Sequence, residues 1–285
     1  MPPNTAEQLA NNPRPSLEQI DVFGMTDAGR VRKVNADHFL IASFHRTIQL
    51  HGGSLQDVGP LETSNRGFMM IVADGVGGLP TAGEGSAEAV KVTVQHLLHA
   101  TELTSTLVLL DQKDAVDQLQ AAVNEAHQTL VAKGAAQGRR PATTLTMLAG
   151  FWPRIFIVNA GDSRYYRLRN NRLERFTKDQ TMAEMMVEQG ALTREKAEAS
   201  RLKHVLWSAV GNEEMRPDVQ TFDVVRTDRH LLCTDGLTKH VSDDEIKERL
   251  SRNEKSEESV RGLIGLALER GGSDNVTVIV LRIHS

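Results

Sequence analysis

Apolar positions fall along this chain in two rhythms, and the order in which they alternate predicts its architecture. Short runs too β-branched or apolar for an amphipathic helix predict strands at 20–23, 38–41, 68–73, 144–149, 154–159, 164–168, 172–176, 219–224, 231–233 and 276–283. Ala87, Val90, Val94, Leu97 and Leu98 instead recur at helical spacing, as do Val116, Leu119, Val123, Ala126 and Leu130 before Gly134 closes the pattern. Two more helices are predicted near the C-terminus. The capping box Ser242-x-x-Glu245 opens one that runs through Leu250, and the other spans about 256–269 and ends at Gly271-Gly272. Strands and helices grouped in separate runs predict an α+β fold, with antiparallel sheets and helices packed outside them.

Three stretches break the rhythm. Residues 1–18 are rich in Pro, Asn and Gln with little apolar content, the composition of a flexible tail, which leaves 19–285 as one catalytic domain. Residues 44–66, with Gly52-Gly53, are expected to form a surface loop. Residues 177–205 are polar and poor in core positions; a short helix at 182–189 and a second capped by Thr193 would make them a mobile flap.

Charge and composition narrow the function classes. A formal net charge of -4 with both signs interspersed gives no electrostatic footprint for nucleic acid, and Arg139-Arg140 is too short to supply one. The single cysteine, Cys233, lies inside an apolar strand, where a small buried side chain is the simplest reading, and intrachain disulfides are impossible. No apolar run reaches the ~18 residues of a membrane span, and the N-terminus lacks a basic start with an apolar core. A soluble cytoplasmic protein with no membrane partner is expected.

Candidate chemistry sits at the ends of the strands. Asp74-Gly75-Val76-Gly77-Gly78, Gly161-Asp162-Ser163-Arg164, Thr234-Asp235-Gly236-Leu237 and Ser273-Asp274-Asn275 each place an aspartate beside a buried run. Any one of them could be a turn, since Asp-Gly is a common hairpin signal. Together they predict a single mouth of partly desolvated carboxylates, which would repel one another unless cations neutralise them. Divalent ions are the simplest remedy.

In their joint order and spacing these motifs resemble the metal-dependent protein serine/threonine phosphatases of the 2C type, in their compact bacterial form. The resemblance covers about 20–283. It includes Gly29-Arg30-Val31-Arg32 with Asn35 and Asp37, Ala142-Thr143-Thr144-Leu145, Thr177-Lys178-Asp179-Gln180 and Ala209-Val210-Gly211, besides the four acidic motifs. It implies an α-β-β-α sandwich, two central antiparallel sheets flanked by helices on both faces, with a binuclear manganese or magnesium site at one end. By the same resemblance Asp74 bridges the two metals, the Gly75 carbonyl serves the second, and Asp235 and Asp274 complete the first. Asp37 acts through bound water, and Asp162 holds a weaker third ion. Arg32 binds the substrate phosphate, for which its planar fork suits better than a lysine. All-oxygen donors fit magnesium or manganese and disfavour zinc.

The implied activity is hydrolysis of phosphoserine and phosphothreonine by a hydroxide bridged between the metals, with phosphorylated proteins as substrates and a cognate serine/threonine kinase as the opposing partner. Two departures bear on it. Ala36 stands where the family usually has a carboxylate or amide, which would weaken the second metal. Val76 stands where some relatives have a histidine proposed to protonate the leaving group, and Val76 cannot do that. The competing readings are a pseudophosphatase that binds phosphoproteins without hydrolysis, supported by Ala36 alone, and a metal-dependent phosphodiesterase, which should carry a basic track absent here.

Overall fold

The computed structural model describes residues 15, 17–44, 47–54, 61–62, 67–77, 82–103 and 112–284. The expected tail, 1–18, lies outside the described residues except at Pro15, Leu17 and Glu18, the last two belonging to the 3-10 turn Leu17–Gln19.

In chain order, β1 (Ile20–Asp27), β2 (Asp37–Phe44), β3 (Thr47–Gly53), β4 (Leu61–Glu62) and β5 (Gly67–Val76) precede α1 (Ala82–Leu103) and α2 (Gln112–Gln137). Next come β6 (Ala142–Thr143), β7 (Leu145–Phe151), β8 (Arg154–Ala160), β9 (Arg164–Arg169) and β10 (Arg172–Arg175), then α3 (Met182–Glu188) and α4 (Arg194–Ala199). The chain continues through β11 (Asp218–Asp223), β12 (Arg229–Cys233), α5 (Asp235–Thr238), α6 (Asp243–Ser251), α7 (Ser256–Glu269) and β13 (Val276–Ile283). Strands β1-β13-β12-β9-β10 form one antiparallel sheet; β11-β8-β7-β5-β2-β3-β4, with β6 beside β5, form the other.

Alternation along the strands explains the layers. Met69, Ile71 and Ala73 of β5 and Leu40 and Ala42 of β2 pack with α1 and α2 on one outer face. Phe68, Met70, Val72, Phe39 and Ile41 turn the other way and meet Leu232, Ile279 and Leu281 of the opposite sheet. Val276, Val278 and Val280 cover the far face against α6 and α7. Met70 and Ile71 are fully buried, on opposite faces of one strand. Burial of a side chain of that size stabilises by about 2 kcal/mol, so a slip of one residue would forfeit both faces at once.

The α-β-β-α sandwich expected from the sequence is therefore present. One expectation is corrected: 44–66 is not loop throughout, because β3 pairs with β2 across a register shift at Ile41/Ala42 and β4 pairs with β3. Within 177–205, Thr181 and Thr193 cap α3 and α4 by accepting from the amides of Glu184 and Lys196. The capping box Ser242/Glu245 opens α6 as expected.

Candidate metal and phosphate site

The inward face of both sheets changes from apolar to polar at one end, and the same alternation determines which residues meet there. On β5 the inward series Phe68, Met70, Val72 continues to Asp74; on β2 the series Ile41, Phe39 continues to Asp37, which stands directly opposite Asp74 in the β2-β5 register. From the other sheet, the inward position after Leu232 is Thr234 and the one before Ile279 is Thr277. Their hydroxyls donate to Asp37 Oδ2 at 2.8 and 2.7 Å. Asp37 thus ties the two sheets together, while its Oδ1 is buried with no hydrogen-bond partner.

Asp74 lies inside β5 rather than at its tip. Gly75 and Val76 extend the strand by pairing with Thr143 and Ala142. Its backbone is pinned: its amide donates to Thr144 Oγ1 at 3.0 Å, and its carbonyl accepts from Thr144 N at 2.9 Å and Thr143 Oγ1 at 2.8 Å. Asp162 follows β8 where the chain crosses between sheets, a crossing fixed by a 2.8 Å hydrogen bond between Thr144 Oγ1 and Ser163 Oγ. Asp235 opens α5, and its Oδ1 is likewise buried without a partner.

Asp274 is held from two sides. Arg32 donates through Nε at 2.7 Å and through its terminal nitrogen at 3.0 Å; Lys239 reaches Asp274 Oδ2 at 2.7 Å and Asp235 Oδ2 at 2.6 Å. Asn275 locks the Arg32 loop in place, accepting from Ala36 N at 2.9 Å and donating to the carbonyls of Ala28 at 2.9 Å and Val34 at 3.0 Å. His240 Nε2 accepts from Ser273 N at 3.0 Å and so fixes the residue before Asp274.

The electrostatics follow from this crowding. Burial, reinforced by Asp235 and Asp274 and opposed by the two threonine hydroxyls, pushes the Asp37 carboxyl up to about 7. Burial and then Asp235 and Asp179 push Asp162 up to about 8. Asp74 is raised well above its ordinary value by burial and by Asp37, Asp235, Asp162 and Asp274 in turn. Partial burial acts to raise Asp274 as well, but hydrogen bonds from Arg32 and Lys239 outweigh it and hold this carboxyl below the usual range. Three carboxyls that resist ionisation, Asp37, Asp74 and Asp162, beside two buried carboxylate oxygens without partners, on Asp37 and Asp235, form a donor set chemically suited to hard cations. Among the described residues no three Asp, Glu, His or Cys side chains stand as a ready-formed cage for an ion. Arg32 and Lys239 engage oxygens of Asp274 and Asp235 instead.

The predicted residues Arg32, Asp37, Asp74, Gly75, Asp162, Asp235 and Asp274 are thus gathered at one end of the sandwich, linked by these hydrogen bonds, strand pairings and mutual charge effects. Gly78 of the first motif lies outside the described residues. Thr234 and Asn275 lie inside the acidic motifs but have no role assigned from sequence, and Lys239, Thr277 and His240 are not marked as site residues by the sequence at all. The threonines could have been found by continuing each strand's inward alternation one step, and Lys239 by its i,i+4 spacing from Asp235. Val76 is 40% exposed and offers no proton, and Ala36 is buried.

Residues 51–275, which include four of these aspartates, match the family model described as Protein phosphatase 2C. The chain belongs to the protein phosphatase 2C family. Among 2C-type relatives, the serine/threonine protein phosphatase PstP of Mycobacterium tuberculosis is 35% identical over 214 residues, 74% of this chain but only 40% of that protein. The chain therefore spans less than half the length of that relative. Serine/threonine phosphatase stp of Listeria welshimeri is 28% identical over 260 residues, 90% of this chain and 93% of its own length. In three dimensions the 2C fold is matched by the catalytic domain of a PstP solved in complex with two manganese ions, with a TM-score of 0.70 at 29% identity over 93% of this chain and 99% of that one. Among the described residues no helix is long and apolar enough to cross a membrane.

Proposed function

We propose that this chain is a metal-dependent phosphoprotein phosphatase that hydrolyses phosphoserine and phosphothreonine. The observation that carries the reading is the pair of buried, unpartnered carboxylate oxygens on Asp37 and Asp235, set among further aspartates and beside a guanidinium. Asp74, the Gly75 carbonyl, Asp235 and Asp274 would hold two manganese or magnesium ions, with Asp37 acting through water and Asp162 serving a third. Bound there, such ions supply Lewis-acid charge and lower the pKa of a water held between them. The two PstP manganese ions and the all-oxygen donor set support this choice of metal.

The chain's own residues do the rest. Arg32, 45% exposed at the mouth, pairs with Asp274 through Nε and one terminal nitrogen, and would hold two oxygens of a phosphomonoester by turning its planar fork from that carboxylate or offering its other edge. Residues 177–205 would border the cleft and shape access to it, as His204 lies within electrostatic reach of Asp235, Asp274 and Lys239. Phosphorylated proteins are the substrates of this reading, and a serine/threonine kinase in the same compartment, taken to be the cytoplasm, supplies them.

Chelator treatment is expected to abolish phosphate release from a phosphothreonine peptide and manganese to restore it, with little release from a phosphodiester. A preference for the diester, or no release in manganese, would reject the proposal. Arg32→Lys keeps the charge but loses the fork, which is worth about 2 kcal/mol or about thirtyfold in kcat/KM. Steady-state kinetics should place most of that loss in KM; an unchanged kcat/KM would remove Arg32 from phosphate binding.

Proton competition predicts a pH dependence. The folded Asp37 and Asp162 retain protons to about 7 and about 8, whereas the unfolded chain sheds them near 3.8. Their contribution to stability is therefore full below the unfolded value and is lost as pH rises through the folded ones. His230, held down at about 4 by burial but titrating near 6.5 once unfolded, acts in the opposite sense and adds stability as pH rises from about 4 to 6.5, so the fall is read above that range. In chelator, Tm should fall between pH 6.5 and 8, and excess manganese should remove the fall, because the ions bind the ionised form. Melting curves showing a flat or rising Tm in chelator would contradict this.

A further inference from the structure

Lys239 stands four residues after Asp235, at the end of the helical turn α5, and its side chain comes back over that turn. Its ammonium lies 2.6 Å from Asp235 Oδ2 and 2.7 Å from Asp274 Oδ2, so it bridges two carboxylates contributed by different loops. The bridge is well supported. Lys239 N donates to Asp235 O at 2.9 Å, and the neighbouring His240 Nε2 accepts from Ser273 N at 3.0 Å, so both loops are fixed relative to the lysine stem. The side chain is only 23% exposed, which weakens solvent screening of the two contacts.

Arg32 and Lys239 thus divide Asp274 between them, but in different ways. Arg32 comes in from an exposed loop and donates to both carboxylate oxygens. Lys239 takes one oxygen of Asp274 and one of Asp235, the position between two carboxylates that suits a cation. A unit positive charge at hydrogen-bond distance from those oxygens repels a doubly charged ion that approaches the same oxygens. A lysine can yield where a buried arginine could not, because its flexible four-carbon stem lets the ammonium swing to water while the stem stays packed.

We propose that Lys239 is a built-in competitor for the cation site: its ammonium holds Asp235 and Asp274 together and must withdraw before a divalent ion takes the same oxygens. The lysine thereby sets the ion concentration at which the site fills and spares the two carboxylates from mutual repulsion below it. This rests on the reading of Asp235 and Asp274 as metal ligands given above.

The test uses the full chain stripped of metal, with manganese as the probe. Calorimetric titration should show Lys239→Met binding manganese about tenfold more tightly than wild type, since the competing charge is gone while the stem volume is kept. In chelator the same variant should melt at a lower temperature than wild type, and manganese should raise its Tm by more. Lys239→Arg, which retains the charge, should not show the tighter binding. A purely structural lysine would give a different result: lower Tm with and without manganese, and no gain in affinity. Unchanged or weaker manganese binding by Lys239→Met, with normal binding by wild type, overturns the proposal. Wild type that binds no manganese overturns the metal reading as well, so the two failures are distinguishable. If Lys239→Met does not fold, amine acetylation of wild type followed by mass spectrometry decides: labelling of Lys239 should rise on adding manganese, and no rise overturns the proposal.

Discussion

Asp74→Asn is expected to abolish manganese-dependent phosphatase activity and at the same time to raise the melting temperature of the protein in chelator. The two effects share a cause. Asp74 stands opposite Asp37 in the strand register and within the field of Asp162, Asp235 and Asp274, and burial raises its carboxyl well above the ordinary value. Asparagine keeps the shape but removes an acid that the fold must either keep protonated or hold ionised among like charges, in a cluster whose close positive partners among the described residues are Arg32 and Lys239. Relief of like-charge repulsion should stabilise the chelated protein by about 1 kcal/mol, or a few degrees in Tm. Loss of the proposed bridging ligand should cost several kcal/mol of transition-state stabilisation, so kcat/KM falls about a thousandfold or more. The backbone should not shift, because the Asp74 amide and carbonyl are held by Thr143 and Thr144 independently of the side chain. Phosphopeptide kinetics, manganese titration and thermal melts check the three parts. Activity within tenfold of wild type would remove Asp74 from the centre of the mechanism, and a lower Tm in chelator would refute the account of its electrostatics.

Much of this was legible in the sequence because strands buried on both faces leave unbroken apolar runs. The run at 68–73 marks β5 without ambiguity, since each of its residues has a packed neighbour on one side or the other. The extension of β5 to Val76 was not legible: it depends on pairing with Thr143 and Ala142, nearly seventy residues away. β3 and β4 were hidden for a related reason, because Thr47–Gly53 ends in two glycines of low strand propensity and is held by a register shift against β2. The aspartates stood out because a carboxylate beside a buried run is chemically costly. Thr234, Thr277 and Asn275 did not, since common polar residues acquire a role only through partners in other strands and loops: the two threonines donate to Asp37, and Asn275 contacts Ala28, Val34 and Ala36. Local pattern thus marks where charge concentrates, and long-range pairing determines what holds it there.

Gly236→Ala is expected to be among the most damaging single-methyl changes in the protein, although Gly236 carries no side chain into the site. A Cβ built at this position would lie 1.8 Å from the backbone oxygen of Asn275 and 2.8 Å from its carbonyl carbon. These are main-chain atoms of the segment that carries Asp274, so no side-chain rotation can relieve the overlap. The close approach of α5 to that segment brings Asp235 and Asp274 near enough for Lys239 to touch both. An added methyl must therefore push α5 away from the Asp274 loop, at a cost of about 3 kcal/mol and roughly 10 °C in Tm. The separation should also weaken manganese binding, which links a packing defect to the chemistry. Gly265→Ala is the matched control. It lies within α7, a Cβ there meets nothing within 4 Å, and alanine favours the helix by about 1 kcal/mol, so Tm should hold or rise. Thermal melts and manganese titrations of the two variants side by side check the argument. A Gly236→Ala protein that melts with wild type would show that the Asp235 and Asp274 loops have room to spare, and that their spacing is not set by backbone contact.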